Sequence, residues 1–262
     1  MRCVSIGLGL VLLGAASCEK VIDLKVGDST PQVVVEGRVT DSAQAWTVRL
    51  TKTIPFDTST YEEPVAGASV LIQDATAGTT DTLREAIPGH YVTQFAKAGV
   101  AGHTYNLTIQ SASGTFTATS VLPQRVPIDS TRVETSSAFG RTAAQLFVVF
   151  TDPPGIPNFY RFVLRANGKK QRTDVRDDRL TDGRVNGRPS ILPYDDEEGI
   201  GSGTVVTIDI EGLDAGVYNY FRSFGNADGS SAAPANPITN IQGGAQGYFG
   251  ALSVQQQIIV LP

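Results

Sequence analysis

Trp46, Val48 and Leu50 alternate with Thr47, Arg49 and Thr51. The same two-residue period returns at Tyr105, Leu107 and Ile109, with Asn106 and Thr108 between them. Alternation of this kind puts successive side chains on opposite faces of a strand, so these segments fit a sheet with one buried face and no helix. Residues 33–39 are mostly β-branched, which also suits a strand. Ala68, Val70 and Ile72 are a weaker case because Leu71 is apolar too, and residues 115–121 read as a closing strand. Turn formers separate these runs at Asp41-Ser42, Pro64, Gly67, Ala77-Gly78, Pro88-Gly89, Ala101-Gly102 and Ser113-Gly114. Short strands at this spacing predict a β-sandwich over residues 33–123.

Leu122-Pro123-Gln124-Arg125-Val126-Pro127 is the best domain boundary, since two close prolines favour extended backbone and interrupt pairing. A second β-rich domain is expected over residues 124–262. Leu146-Phe147-Val148-Val149-Phe150 is continuously apolar, as in a strand buried on both faces. Residues 160–164 form another strand, with Arg161 and Arg165 opposite Phe162 and Leu164. Residues 169–193 are charged and Gly-punctuated and read as a long hairpin or an excursion loop. Val206, Ile208 and Ile210 alternate again, and residues 256–261 close the chain as a strand. One helix is predicted: Asp214 is a good N-cap, Val217, Tyr220, Phe221 and Phe224 share one face, and Gly225 is a plausible stop. The fold class is therefore all-β and mostly antiparallel, with one short helix.

The first 17 residues carry Arg2 as their only charge, then an apolar run from Ile6 to Ala16. That is the plan of a signal peptide, and it is shorter than the roughly 20 apolar residues of a membrane-spanning helix. Cys18 directly after Ala15-Ala16-Ser17 resembles a bacterial lipobox, in which the cysteine becomes the lipidated first residue of the mature chain. An ordinary signal peptide with an incidental Cys18, or an uncleaved anchor, is the rival reading. Residues 18–32 then serve as a lipidated tether. Cys3 and Cys18 are the only cysteines, so a processed chain has no thiol left for a disulfide, metal site or nucleophile.

With 21 basic against 26 acidic residues the chain is acidic, which argues against a nucleic-acid partner. No G-x-S-x-G elbow is present, and the two histidines, His90 and His103, stand isolated at turn-to-strand entries. A His-based zinc site is therefore not expected, and neither is a cofactor. Asp195, Asp196, Glu197 and Glu198 are weak metal candidates: clustered carboxylates suit calcium, but a contiguous run lacks alternating ligand spacing and reads more simply as a solvated loop.

Four stretches together resemble one family. They are Cys18-Glu19-Lys20-Val21-Ile22-Asp23-Leu24, Val33-Val34-Val35-Glu36-Gly37-Arg38-Val39, Phe150-Thr151-Asp152-Pro153-Pro154-Gly155 and the Gly-rich run at residues 236–251. The chain is similar to the DUF4249-like family of Bacteroidota outer-membrane lipoproteins of unknown function. The resemblance implies an outer-membrane location through an N-terminal lipid, at the cell surface or the periplasmic face, often beside a TonB-dependent transporter. It also implies an Ig/transthyretin-like character for the first sandwich. It supplies no catalytic residues. Within the Gly-rich run, Asn240, Gly243, Gly244, Gly247, Tyr248 and Phe249 are the motif-loop residues of interest. The glycines permit positive φ, the aromatics suit a core gap or a pocket cap, and the absence of lysine and arginine from residue 225 onward disfavours a phosphate site.

The expected role is a non-enzymatic binding or accessory lipoprotein. A hydrolase acting on glycans or peptides and a structural or adhesion protein are the alternatives.

Overall fold

The computed structural model describes residues 31–54, 63–138, 140–187, 189–195, 197–224 and 236–262. The expected signal peptide, Cys18 and the expected tether up to Thr30 lie outside the described residues. From Pro31 to Pro262 the chain forms one compact unit.

The first sandwich is built from β1 (Val33–Thr40), β2 (Thr47–Lys52), β3 (Ser69–Asp74), β4 (Thr79–Ile87), β5 (His90–Val92), β6 (Thr104–Ser111) and β7 (Gly114–Val121). One layer runs β1-β2-β5-β4 and the other β4-β3-β6-β7. Strand β4 serves both, pairing with β3 through Thr79–Leu83 and with β5 through Arg84, Glu85 and Ile87. The alternating residues meet between the layers: Trp46, Val48, Leu50, Tyr105, Leu107 and Ile109 are all buried, and Trp46 packs edge-on against Tyr105 at 5.4 Å between ring centroids.

The second sandwich comprises β8 (Ile128–Ala138), β9 (Arg141–Thr151), β10 (Phe159–Ala166), β11 (Lys169–Asp177), β12 (Val185–Asn186), β13 (Ser190–Pro193), β14 (Val205–Leu213) and the last strand, β15 (Gln246–Val260). Its inner core joins Leu146, Val148 and Phe150 of β9 to Phe162, Leu164, Ile208 and Ile210 of the facing sheet. The run at residues 146–150 is buried on one face only. Phe147 and Val149 are half-buried on the outer side, where the Arg132 guanidinium lies 3.9 Å from the Phe147 ring centroid. The charged stretch 169–193 is neither a simple hairpin nor an open loop. It contains β11, β12 and β13, and it is polar because β11 is the edge of its sheet.

The linker at residues 122–127 crosses between the sandwiches, but the first sandwich is not closed at residue 123. Strand β15 returns to it, pairing Gln246–Leu252 in parallel with β1, then pairing Ser253–Val260 antiparallel with β14. Ile241, Ala245, Phe249 and Ala251 accordingly belong to the first core. At the handover Asp41 takes the place of a continuing β1: its N–H donates to the Leu252 carbonyl, and its carboxylate accepts from Val254 N–H at 2.8 Å. One strand thus makes a continuous sheet of eleven strands. The closing strand expected at residues 256–261 begins ten residues earlier, because the second half of the Gly-rich motif, from Gln246 on, is strand, entered through a bend at Gly243 and Gly244.

Helix α1 (Ala215–Phe224) lies on the outer face of this sheet. Asp214 caps it, accepting from Val217 N–H at 2.9 Å, and its other carboxylate oxygen accepts from Ser120 Oγ and Val121 N–H of β7. Val217, Tyr218 and Tyr220 are buried, whereas Phe224 is 55% exposed, so the apolar face is rotated from the expected one. Gly225 lies outside the described residues.

Candidate functional site

On β10 and β14 the second period-two face is charged. Arg161 stands directly across from Glu211, and Arg165 pairs with Asp209. Glu211 is 2% exposed and is shared between two cations: Arg161 Nε donates to one carboxylate oxygen, and Arg38 Nη2 donates to the other at 2.7 Å. Burial pushes the Glu211 carboxyl up, but the two guanidiniums outweigh it and hold the group below the ordinary glutamate range. The Arg161 guanidinium also stacks 3.8 Å from the Phe221 ring centroid. The ladder therefore ties β1 of the first sandwich, β14 of the second and the helix into one charged core.

Beside this ladder, two adjoining depressions of about 290 and 420 Å³ run along α1 and share Arg161, Lys170, Thr173, Phe221 and Phe224. Tyr220 and Tyr248 wall one end, and Arg222 the other. Burial pushes the Tyr220 hydroxyl up to about 12 and raises that of Tyr248. Both phenols stay neutral at physiological pH, and the aromatic walls are bordered by Lys170 and Arg222 together with Glu36 and Asp174, whose carboxylates are paired with Arg49 and Arg176. Among the described residues Lys170, Arg172 and Arg222 form no ion pair. The sequence signal for this site is the facing alternation of Arg161 and Arg165 with Asp209 and Glu211. It becomes informative only once β10 and β14 are known to be neighbours.

The motif residues are mainly structural. Asn240 accepts from Phe249 N–H at 3.0 Å and donates to the Phe249 carbonyl at 2.8 Å, replacing a strand partner with a side-chain amide. Gly243, Gly244 and Gly247 all have positive φ. A Cβ at Gly243 would collide with the Thr115 carbonyl, and one at Gly247 with the Val35 carbonyl. Phe249 is fully buried in the first core, whereas Tyr248 turns to the opposite face and lines the groove.

The acidic run at residues 195–198 is used locally. Asp195 accepts from the N–H groups of Glu197 and Glu198, Glu198 pairs with Lys169, and Asp196 lies outside the described residues. The structure brings together a different triple, Asp152, Asp178 and Asp182, with carboxylate oxygens within 4.8 Å of one another. Each is already an acceptor: Asp152 from Tyr160 Oη, Asp178 from Asn158 N–H and Asp182 from Gly155 N–H. Burial, with Asp178 and Asp182 nearby, raises Asp152 above the ordinary aspartate range. His103 Nδ1 lies 2.9 Å from Asp74. No hydroxyl or thiol hydrogen-bonds its other nitrogen among the described residues, and His90 is exposed.

No curated protein matches the chain. Among solved structures, a two fibronectin type-III domain segment from chicken tenascin is similar at 12% identity, over 88% of this chain and 99% of that one, with a TM-score of 0.21. That superposition is too loose to bear on the strand arrangement, which rests on the sheet registers above. The family model described as a domain of unknown function, DUF4249, matches residues 19–258, from Glu19 to the last turns of β15, and so takes in both sandwiches, the helix and the groove. By that match across nearly the whole chain, the protein belongs to the DUF4249 family.

Proposed function

We propose that the protein is a lipid-anchored, non-enzymatic binding lipoprotein of the outer membrane, acting as an accessory to a TonB-dependent transporter. The observation that carries the binding role is the groove along α1, where Lys170 and Arg222, which form no ion pair among the described residues, flank Phe221 and Phe224 in a chain of net charge −5. Local charge opposite to that of the whole molecule is what selective docking uses. The anchoring role is supported by the lipobox resemblance at Cys18 and by a family match that begins at the next residue, Glu19.

The test is affinity purification of the tagged protein from native membranes under mild detergent. Stoichiometric recovery of a β-barrel transporter is the expected result. Its repeated absence overturns the accessory role, and turnover of glycans or peptides by the purified protein overturns the non-enzymatic one.

A further inference from the structure

We infer that the groove receives an extended acidic segment of a partner protein, which adds to the sheet along the free edge of β11; this rests on the binding role proposed above. Among the described residues, β11 is the outermost strand of its sheet and pairs only with β10. Asp178 N–H donates to the Asn158 carbonyl on the β10 side. By antiparallel alternation, the N–H and C=O groups of Thr173, Val175 and Asp177 turn outward to the open edge. An unpaired backbone row is a template for an added strand, whose main chain supplies affinity while neighbouring side chains select the sequence.

Those neighbouring side chains are cationic. Within Lys169–Asp177, Asp174 is paired with Arg176, and Asp177 is paired with Arg179. Lys170 and Arg172 form no ion pair among the described residues, and neither does Arg222 across the groove on α1. Thr173 and Val175 face the groove on the same side as Phe221 and Phe224, so an added strand would present alternate side chains to an apolar floor with basic rims. Lysine on an edge strand can also serve as a guard against aggregation. That explanation does not cover this sheet. The edge strand at its other end, β7, carries no charged side chain. The basic residues are concentrated where the aromatic groove is.

The test uses the full-length processed lipoprotein in detergent and three probes: an alternating Glu-Val octapeptide, its Gln-Val counterpart and polygalacturonate. Fluorescence anisotropy should show binding of the Glu-Val peptide that weakens with added salt, at least tenfold tighter than Gln-Val. K170E and R222E should each weaken it and together weaken it at least tenfold, whereas R84E, a single charge reversal like either of them but on β4, should not. T173P should weaken it comparably while leaving the melting temperature close to that of the parent, because an edge position tolerates proline but loses an outward donor. Equal binding of the two peptides, or equal loss in R84E, overturns the inference. Tighter binding of polygalacturonate that is indifferent to T173P also overturns it, in favour of an anionic glycan. Membrane purification with the K170E/R222E variant separates this inference from the reading it rests on. Transporter recovered equally with parent and variant refutes the groove while sparing the accessory role. Transporter recovered with neither refutes the accessory role and leaves the peptide titration to judge the groove.

Discussion

Gly37 lies directly under the ring of Phe249. The two residues face each other in the parallel pairing of β1 with β15, and a Cβ on Gly37 would stand 2.7 Å from Phe249 Cδ2. The missing side chain on one strand is the space that the aromatic on the other fills. Phe249→Ala should cost about 3–5 kcal/mol, as for other large-to-small changes in a closed core. Gly37→Ala should cost about 1–3 kcal/mol by overpacking. The double variant Gly37→Ala/Phe249→Leu should be more stable than the sum of its single changes allows, because the smaller side chain makes room for the new methyl. Denaturant unfolding of the parent, Gly37→Ala, Phe249→Leu and the double variant measures the coupling, and strict additivity would show that the contact is not a packing constraint.

Asn240 satisfies both backbone groups of Phe249, so its loss leaves a donor and an acceptor without partners. Asn240→Ala should destabilise by about 2–4 kcal/mol on the cost of unsatisfied buried groups. Asn240→Asp keeps the acceptor but sets a carboxylate oxygen against the Phe249 carbonyl, and it should be no better than alanine near neutral pH. Thermal melts at two pH values decide this: full stability of the aspartate variant at neutral pH contradicts the two-bond account.

Glu211 should contribute to acid sensitivity. Its folded-state value is held below its unfolded one by Arg161 and Arg38 despite burial. Its stabilisation is therefore complete above the ordinary glutamate pKa, about 4.3, and is lost as pH falls through the lower folded value. Glu211→Gln leaves the buried Arg161 uncompensated and should cost about 3–5 kcal/mol near neutral pH, with a shallower decline in acid. Urea midpoints across the acid range read both effects. An unchanged slope in acid would mean that other carboxylates dominate.

Cys18→Ser should release the protein from membranes while leaving the folded unit intact. No helix among the described residues is long and apolar enough to cross a bilayer, and two acyl chains are the kind of attachment that withstands washing. Fractionation with high-salt and carbonate washes checks it: a serine variant that stays with the membrane is held by something other than lipid.

The strands of the first sandwich were legible because alternation reports burial locally: Trp46, Val48, Leu50, Tyr105, Leu107 and Ile109 point inward by the same two-residue rule that identifies them. The capped helix at Asp214 was legible for the same reason, since capping and a one-sided apolar face act within ten residues. The fate of residues 241–252 was not. Gly243 and Gly247 have the positive φ of turn residues, yet this segment leads into and forms the first half of β15, whose partner there, β1, is about 200 positions away in sequence. The groove was equally hidden. Arg161 and Glu211, and Lys170 and Arg222, become partners or neighbours only when β14, β11 and α1 are stacked on one sheet face. Local propensity determines whether a segment is strand, helix or turn. Which charged faces meet is decided by long-range pairing, because side-chain electrostatics act through space and carry no mark in sequence order.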